Sequence, residues 1–132
     1  MNLQGKNIVV TGGAQGLGLE MARMCAAAGA HLALIDMNEA QLAAAKTELA
    51  ATGVTVRTYI ANVASETEVE DTFSAIDSDF DGIDGLINNA AIMSPPQRGT
   101  SADGFELQLA TNYLGHFALT AQLLPLLRKS DG

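Results

Sequence analysis

Thr11-Gly12-Gly13-Ala14-Gln15-Gly16-Leu17-Gly18 follows directly on the apolar run Asn7-Ile8-Val9-Val10 and opens a segment of helix-forming composition. With Thr11 the run is short, β-branched and stopped by glycine, so Asn7–Thr11 reads as a buried strand. Residues 16–28 read as a helix with Gly29 placed to close it. A glycine loop in this position suits a phosphate. Gly12 can take the tight turn, Gly16 lets the backbone approach a pyrophosphate, and Gly18 lets the helix pack close to the strand. The amides of Gln15, Gly16 and Leu17 at the helix start then face the charge, helped by the helix dipole. Glycines alone are a weak signal, and a bare strand-to-helix turn without a ligand is the alternative.

Working outward, His31-Leu32-Ala33-Leu34-Ile35-Asp36 reads as a second strand. Asn38 can cap a helix to about residue 51, with Gly53 as its stop. Residues 54–60 alternate as a third strand. Ser65 and Glu68 form a capping-box signature for a helix to about Asp79, and Gly82 ends it. Residues 83–88 read as a fourth strand, 91–103 as a loop with Pro95-Pro96, and 103–127 as a long helix with Pro125 near its end. Strands alternating with helices imply an α/β fold with parallel pairing and right-handed crossovers. This is the first half of a doubly wound sheet in one domain.

Composition agrees. The 132 residues are 48% apolar with 5% aromatics, as Ala-rich helices on an apolar sheet require. A net charge of -8 disfavours nucleic acid and anionic membranes as partners. An anionic cofactor would have to bind through backbone donors. The single cysteine, Cys25, excludes an intrachain disulfide and a cysteine-based metal site. No signal peptide and no apolar run of ~18 residues is present, so the expected location is cytoplasmic.

Asp36 ends the second strand eighteen residues after Gly18, near the roughly 20 typical of dinucleotide-binding folds. A carboxylate there can accept hydrogen bonds from both adenosine ribose hydroxyls and repel a 2′-phosphate. The cofactor expected is therefore NAD. The alternative is a strand-end aspartate that only caps the next turn.

The T-G-x-x-x-G-x-G spacing of residues 11–18 resembles the short-chain dehydrogenase/reductase family. Asn62-Val63, Asn88-Asn89-Ala90-Ala91 and Asn112 within Thr-Asn-Tyr-Leu-Gly-His-Phe match it in order, so the resemblance covers essentially the whole chain. Residues before about 89 resemble bacterial 3-oxoacyl-carrier-protein reductases; residues 100–127 resemble the retinol-dehydrogenase-like branch. The resemblance implies a partial Rossmann fold with strand order 3-2-1-4, truncated before a fifth strand. It implies that Asn62 and Val63 meet adenine, and that Asn89 and Ala90 lie against the nicotinamide ribose. Ala91 stands where the family has glycine, at a cost of up to ~1 kcal/mol if φ is positive there. Asn88 is expected to tie neighbouring strands. Asn112, through its backbone carbonyl, would hold a water of the proton relay and is the catalytic candidate. Gln15, Met37 and Asn38 occupy positions where NADP-users of the family commonly carry Arg or Lys.

The family's proton-transfer pair, Tyr-x-x-x-Lys, is missing. The two tyrosines, Tyr59 and Tyr113, are followed four residues on by Val63 and Phe117. His116 reads as a packing residue, Cys25 as inert core, His31 as exposed, and Lys6, Lys46 and Lys129 as scattered surface charges. Three functions stay open. One is an NAD-dependent oxidoreductase interconverting a small-molecule alcohol and carbonyl by hydride transfer, inactive as this chain alone. The others are a non-catalytic NAD-binding remnant and a structural half-domain that self-associates. The apolar arc of the last helix (Phe105, Leu109, Tyr113, Phe117, Leu124, Leu127) and the unpaired fourth strand lead to an expected homo-oligomer.

Overall fold

Successive side chains of a strand point to opposite faces, so an apolar run buried on both sides must feed two cores. The computed structural model describes residues 2–90 together with 120 and 121, and shows this division. Its strands are β1 (Asn7–Thr11), β2 (His31–Asp36), β3 (Val56–Ile60) and β4 (Gly85–Ile87). Between them lie α1 (Gly16–Ala27), α2 (Glu39–Ala50) and α3 (Glu66–Asp79). Ile8, Val10, Leu32 and Leu34 join Ala22, Cys25 and Ala26 of α1 and Leu42, Ala45 and Leu49 of α2 in one core. Val9, Ala33 and Ile35 join Val69 and Ile76 of α3 in the other.

All pairings are parallel, and the strand order is β3-β2-β1-β4. Right-handed crossovers explain the layers. Stepping from β1 to β2 to β3 in one direction puts α1 and α2 on one face. Jumping back past β1 to β4 puts α3 on the other. The reversal leaves a crevice beyond the carboxyl ends of β1 and β4, where ligands of doubly wound sheets bind.

The described elements follow the expected order, and β1 and β2 have the expected bounds. Gly29 lies at φ +89 just past α1, and the Ala30 and Gly29 amides donate back to the Cys25 and Ala26 carbonyls, a Schellman closure. Asn38 caps α2 by accepting from the Gln41 amide at 3.0 Å.

Several details differ from the sequence reading. β3 starts at Val56 rather than at residue 54, because the Thr55 amide donates to His31 Nδ1 at 3.0 Å. His31 is thus half-buried and engaged, not simply exposed. The fourth strand spans three residues where six were expected, because side chains replace the ladder at both ends. Below, the Asp84 carboxylate accepts from the Asn7 amide at 2.8 Å and pairs with Lys6 at 3.3 Å, so Lys6 is not a scattered charge. Above, the Thr11 hydroxyl takes over. The capping box is also altered: Ser65 accepts from the Glu68 amide, but the Glu68 carboxylate reaches the amide of Asn62 instead of that of Ser65.

Arg23 spans α1 and α2 by bonding Glu48 at 2.6 Å as well as Glu20. The Glu48 bond raises its pKa further, but a pair this exposed adds little stability. Thr120 and Ala121 are helical, as the last helix requires. The rest of that helix, the 91–103 loop, and Ala91, Asn112, His116 and Lys129 lie outside the described residues. No helix among the described residues is long and apolar enough to cross a membrane.

Candidate functional site

β1 delivers the glycine loop to the crevice, and the structure shows what each glycine does. Gly16 lies at φ +56 with nothing within 4 Å of an added Cβ, so its backbone faces open space. Gly18 is the opposite case. A Cβ there would sit 2.0 Å from the Gly12 carbonyl oxygen and 2.6 Å from Asn89 Nδ2. The sequence suggested that Gly18 lets the helix approach the strand. What it admits is the loop's own first turn and the end of β4.

The loop amides divide into two groups. Those of Gly12 and Gly13 donate to the Ile35 carbonyl at 2.7 and 3.2 Å, and that of Ala14 donates to Asp36 Oδ2 at 3.2 Å. Among the described residues no protein acceptor takes the amides of Gln15, Gly16, Leu17 or Gly18. The N-cap of α1, Gln15, makes no side-chain cap bond, and the first turn carries no acidic residue. α2 and α3 are built differently, with capping Asn38 and Ser65 and with glutamates in their first turns. Among the described residues α1 therefore begins with unpaired donors and an uncompensated positive dipole end.

At the C-terminal end of β4 the buried hydroxyl of Thr11 accepts from the amides of Asn89 at 2.9 Å and Ala90 at 3.0 Å. The Asn89 side-chain amide donates to the Gly12 carbonyl at 3.4 Å. Asn88 was expected to tie neighbouring strands; among the described residues its side-chain amide instead donates to Thr120 Oγ1 at 3.0 Å, tying the end of β4 to the helix at 120 and 121.

These elements enclose a cleft of about 1070 Å³. Gly12, Gln15, Asp36, Met37, Asn62, Val63, Asn89 and Ala90 all line it, as the sequence reading grouped them. Gly16, Leu17 and Gly18 belong to the loop but not to its lining; the Leu17 side chain is 64% exposed. Glu39, Ala40 and Ala43 of α2 also line it, and the sequence reading passed over them. The signal was present: Ala40 and Ala43 are three apart on the first turns of a helix whose cap was identified. Thr11 was read only as a strand end. Among the described residues, Asp36 and Glu39 are the charged lining residues, with no Lys or Arg beside them. Asn62 turns the chain by accepting from the Ala64 amide at 2.9 Å, which places Val63 at the wall.

Tyr59 takes no part in the cleft. Its hydroxyl donates to Asp79 at 2.7 Å, and burial together with that bond raises its pKa above the usual phenol range. Cys25 is buried in the α1 core, and burial pushes its thiol pKa up, so it is a poor nucleophile. Among the described residues no cluster of His, Cys, Asp and Glu could hold a metal ion.

Residues 6–132 match the family model described as short chain dehydrogenase. A probable oxidoreductase of Streptomyces antibioticus is 41% identical over 130 residues, covering 97% of this chain and 43% of that protein. L-Sorbose reductase from Gluconobacter frateurii, solved with NADPH and L-sorbose, superposes with a TM-score of 0.86 at 28% identity. That alignment covers 98% of this chain and 50% of the reductase. An NAD+-bound xylitol dehydrogenase superposes with a TM-score of 0.83 at 30% identity, again over 98% of this chain and 50% of the other. The chain spans half or less of the length of each of these three relatives.

Proposed function

Because the chain belongs to the short chain dehydrogenase family, we propose that its cleft holds a nicotinamide dinucleotide and prefers NAD to NADP. The observation that carries this is the uncapped start of α1, where among the described residues the amides of Gln15, Gly16, Leu17 and Gly18 meet no protein acceptor and Gln15 lines the same cleft as Asp36. Those amides suit the pyrophosphate. Asp36 suits the adenosine ribose, Asn62 and Val63 the adenine, and Asn89 and Ala90 the nicotinamide ribose. Relatives solved with NADPH and with NAD+ both superpose well, so the preference rests on this chain's own residues. A 2′-phosphate would meet Asp36 and Glu39 with no lining cation among the described residues to offset them. Calorimetry with both cofactors tests this. NAD is expected to bind at least about tenfold tighter. Asp36→Ala should narrow the gap and Asp36→Arg reverse it. Tighter NADP binding by the unaltered chain would refute the preference.

When bound, the nicotinamide gives or takes a hydride, which makes the activity of a completed protein the interconversion of an alcohol and a carbonyl. The chain's part is to bind and orient the dinucleotide. Proton transfer needs a positioned acid or base. Tyr59 is committed to Asp79, and the sequence holds no Tyr-x-x-x-Lys. The 132-residue chain is therefore expected to bind NAD yet oxidise no alcohol in a substrate panel. Turnover that survives removal of host dehydrogenases would contradict this. Asn112 remains the candidate for the relay water in a completed site. The buried free Cys25 fits a reducing compartment such as the cytoplasm.

Self-association is a second reading, favoured by β4. Among the described residues it is the edge strand next to β1, short and half-buried. An apolar edge of this kind invites pairing. Sedimentation should show dimers or larger species at micromolar concentration, and a folded monomer there would refute it.

A further inference from the structure

We propose that Asp36 positions the glycine loop as well as receiving the ribose, and that its two backbone ties set NAD affinity in addition to its charge. The inference rests on the dinucleotide reading above. Asp36 Oδ2 accepts from the Ala14 amide at 3.2 Å, and Oδ1 accepts from the Asn38 amide at 3.1 Å. One donor comes from the loop before α1, the other from the turn before α2. Ala14 is buried, so its amide has no ready substitute in water. With Gly12 and Gly13 bonded to Ile35, the last two residues of β2 take three successive loop amides, the third through the side chain.

A carboxylate offers about two acceptor positions on each oxygen. Here one on each is filled from the protein, and one on each is left. One remaining acceptor position on each oxygen suits a pair of adjacent hydroxyl groups. Rotating the carboxylate out of its plane would break a loop bond, so the acceptor pair is oriented before the ligand arrives. Charge alone does not require this arrangement. A glutamate would keep the charge but, one methylene longer, could not hold both amides on the same plane.

The test compares the unaltered chain with Asp36→Glu and Asp36→Ala. NAD and NADP affinities are measured by calorimetry, and amide exchange is measured by NMR without ligand. Asp36→Glu is expected to keep rejecting NADP yet lose about tenfold or more in NAD affinity. In both variants exchange at Ala14 should rise by about tenfold or more, while Val9 in the sheet stays protected. An Asp36→Glu chain that binds NAD as tightly as the parent would overturn the proposal, as would an Ala14 amide still protected in Asp36→Ala. A parent chain that binds no NAD would overturn the cofactor reading and the affinity claim with it. A rise at Ala14 in that case would still uphold the loop tie.

Discussion

Gly18→Ala is expected to destabilise the chain by about 2–4 kcal/mol, from overpacking against atoms that cannot yield. The new Cβ would lie 2.0 Å from the Gly12 carbonyl oxygen and 2.8 Å from the Gly12 carbonyl carbon. Both are backbone, and the loop behind them is bonded to Ile35 and Asp36. Relief requires α1 to draw away from the loop. Ala22, Cys25 and Ala26 would then leave their packing against β1 and β2. The Asn89 bond to Gly12 would break in the same movement. Dinucleotide affinity should fall by about a hundredfold or more, since the free amides would shift with the helix. Gly16→Ala is the control. Unlike Gly18 it lies at a glycine-favouring φ, but with nothing near the added carbon, and should cost only about 1 kcal/mol. Urea unfolding followed by circular dichroism distinguishes the two. Equal losses would mean that the contact with Gly12 is not what limits residue 18.

Thr11→Val should cost about 2–4 kcal/mol, although it preserves the shape of a fully buried side chain. The hydroxyl accepts from Asn89 and Ala90, and each amide left without a partner costs about 1–3 kcal/mol. It also donates to the Ile87 carbonyl at 3.4 Å, a longer and weaker bond. Thr11→Ser keeps the oxygen and removes one methyl, at about 1 kcal/mol. The expected stability order is Thr, then Ser, then Val. Faster amide exchange at Asn89 and Ala90 should accompany the Val variant only. If Val matches Ser in stability, the hydroxyl is not what holds the end of β4.

Much of this was legible in the chain. β1 and β2 are central strands, apolar on both faces and punctuated by a glycine turn and an aspartate, so their limits show in composition alone. The caps of α2 and α3 are local signals between residues three apart. β4 was not legible in length, because its ends are closed by the bonds of Asp84 with Asn7 and of Asn89 with Thr11, each between residues more than seventy apart for which no local pattern exists. His31 looked free for the same reason: its acceptor role depends on Thr55, which only strand pairing brings near. Asp36 was posed as either a ribose ligand or a turn cap. The cap half of that choice is visible in its bond to Asn38, and the second bond, to Ala14, was in neither alternative.

The strand order has a consequence for the time course of folding. β1 meets β2, and β2 meets β3, across about 25 residues each, whereas β4 returns to β1 across more than seventy. Closing the longer loop costs about 1 kcal/mol more in chain entropy, and contacts so distant in sequence form late. The β1-α1-β2-α2-β3 unit should therefore assemble first, glycine loop and Asp36 included. Asn89 and Ala90 join only when β4 docks, so the far wall of the cleft is the last part to appear. In a refolding experiment, far-ultraviolet dichroism should recover ahead of dinucleotide binding, and the lag between them would time the arrival of a single three-residue strand.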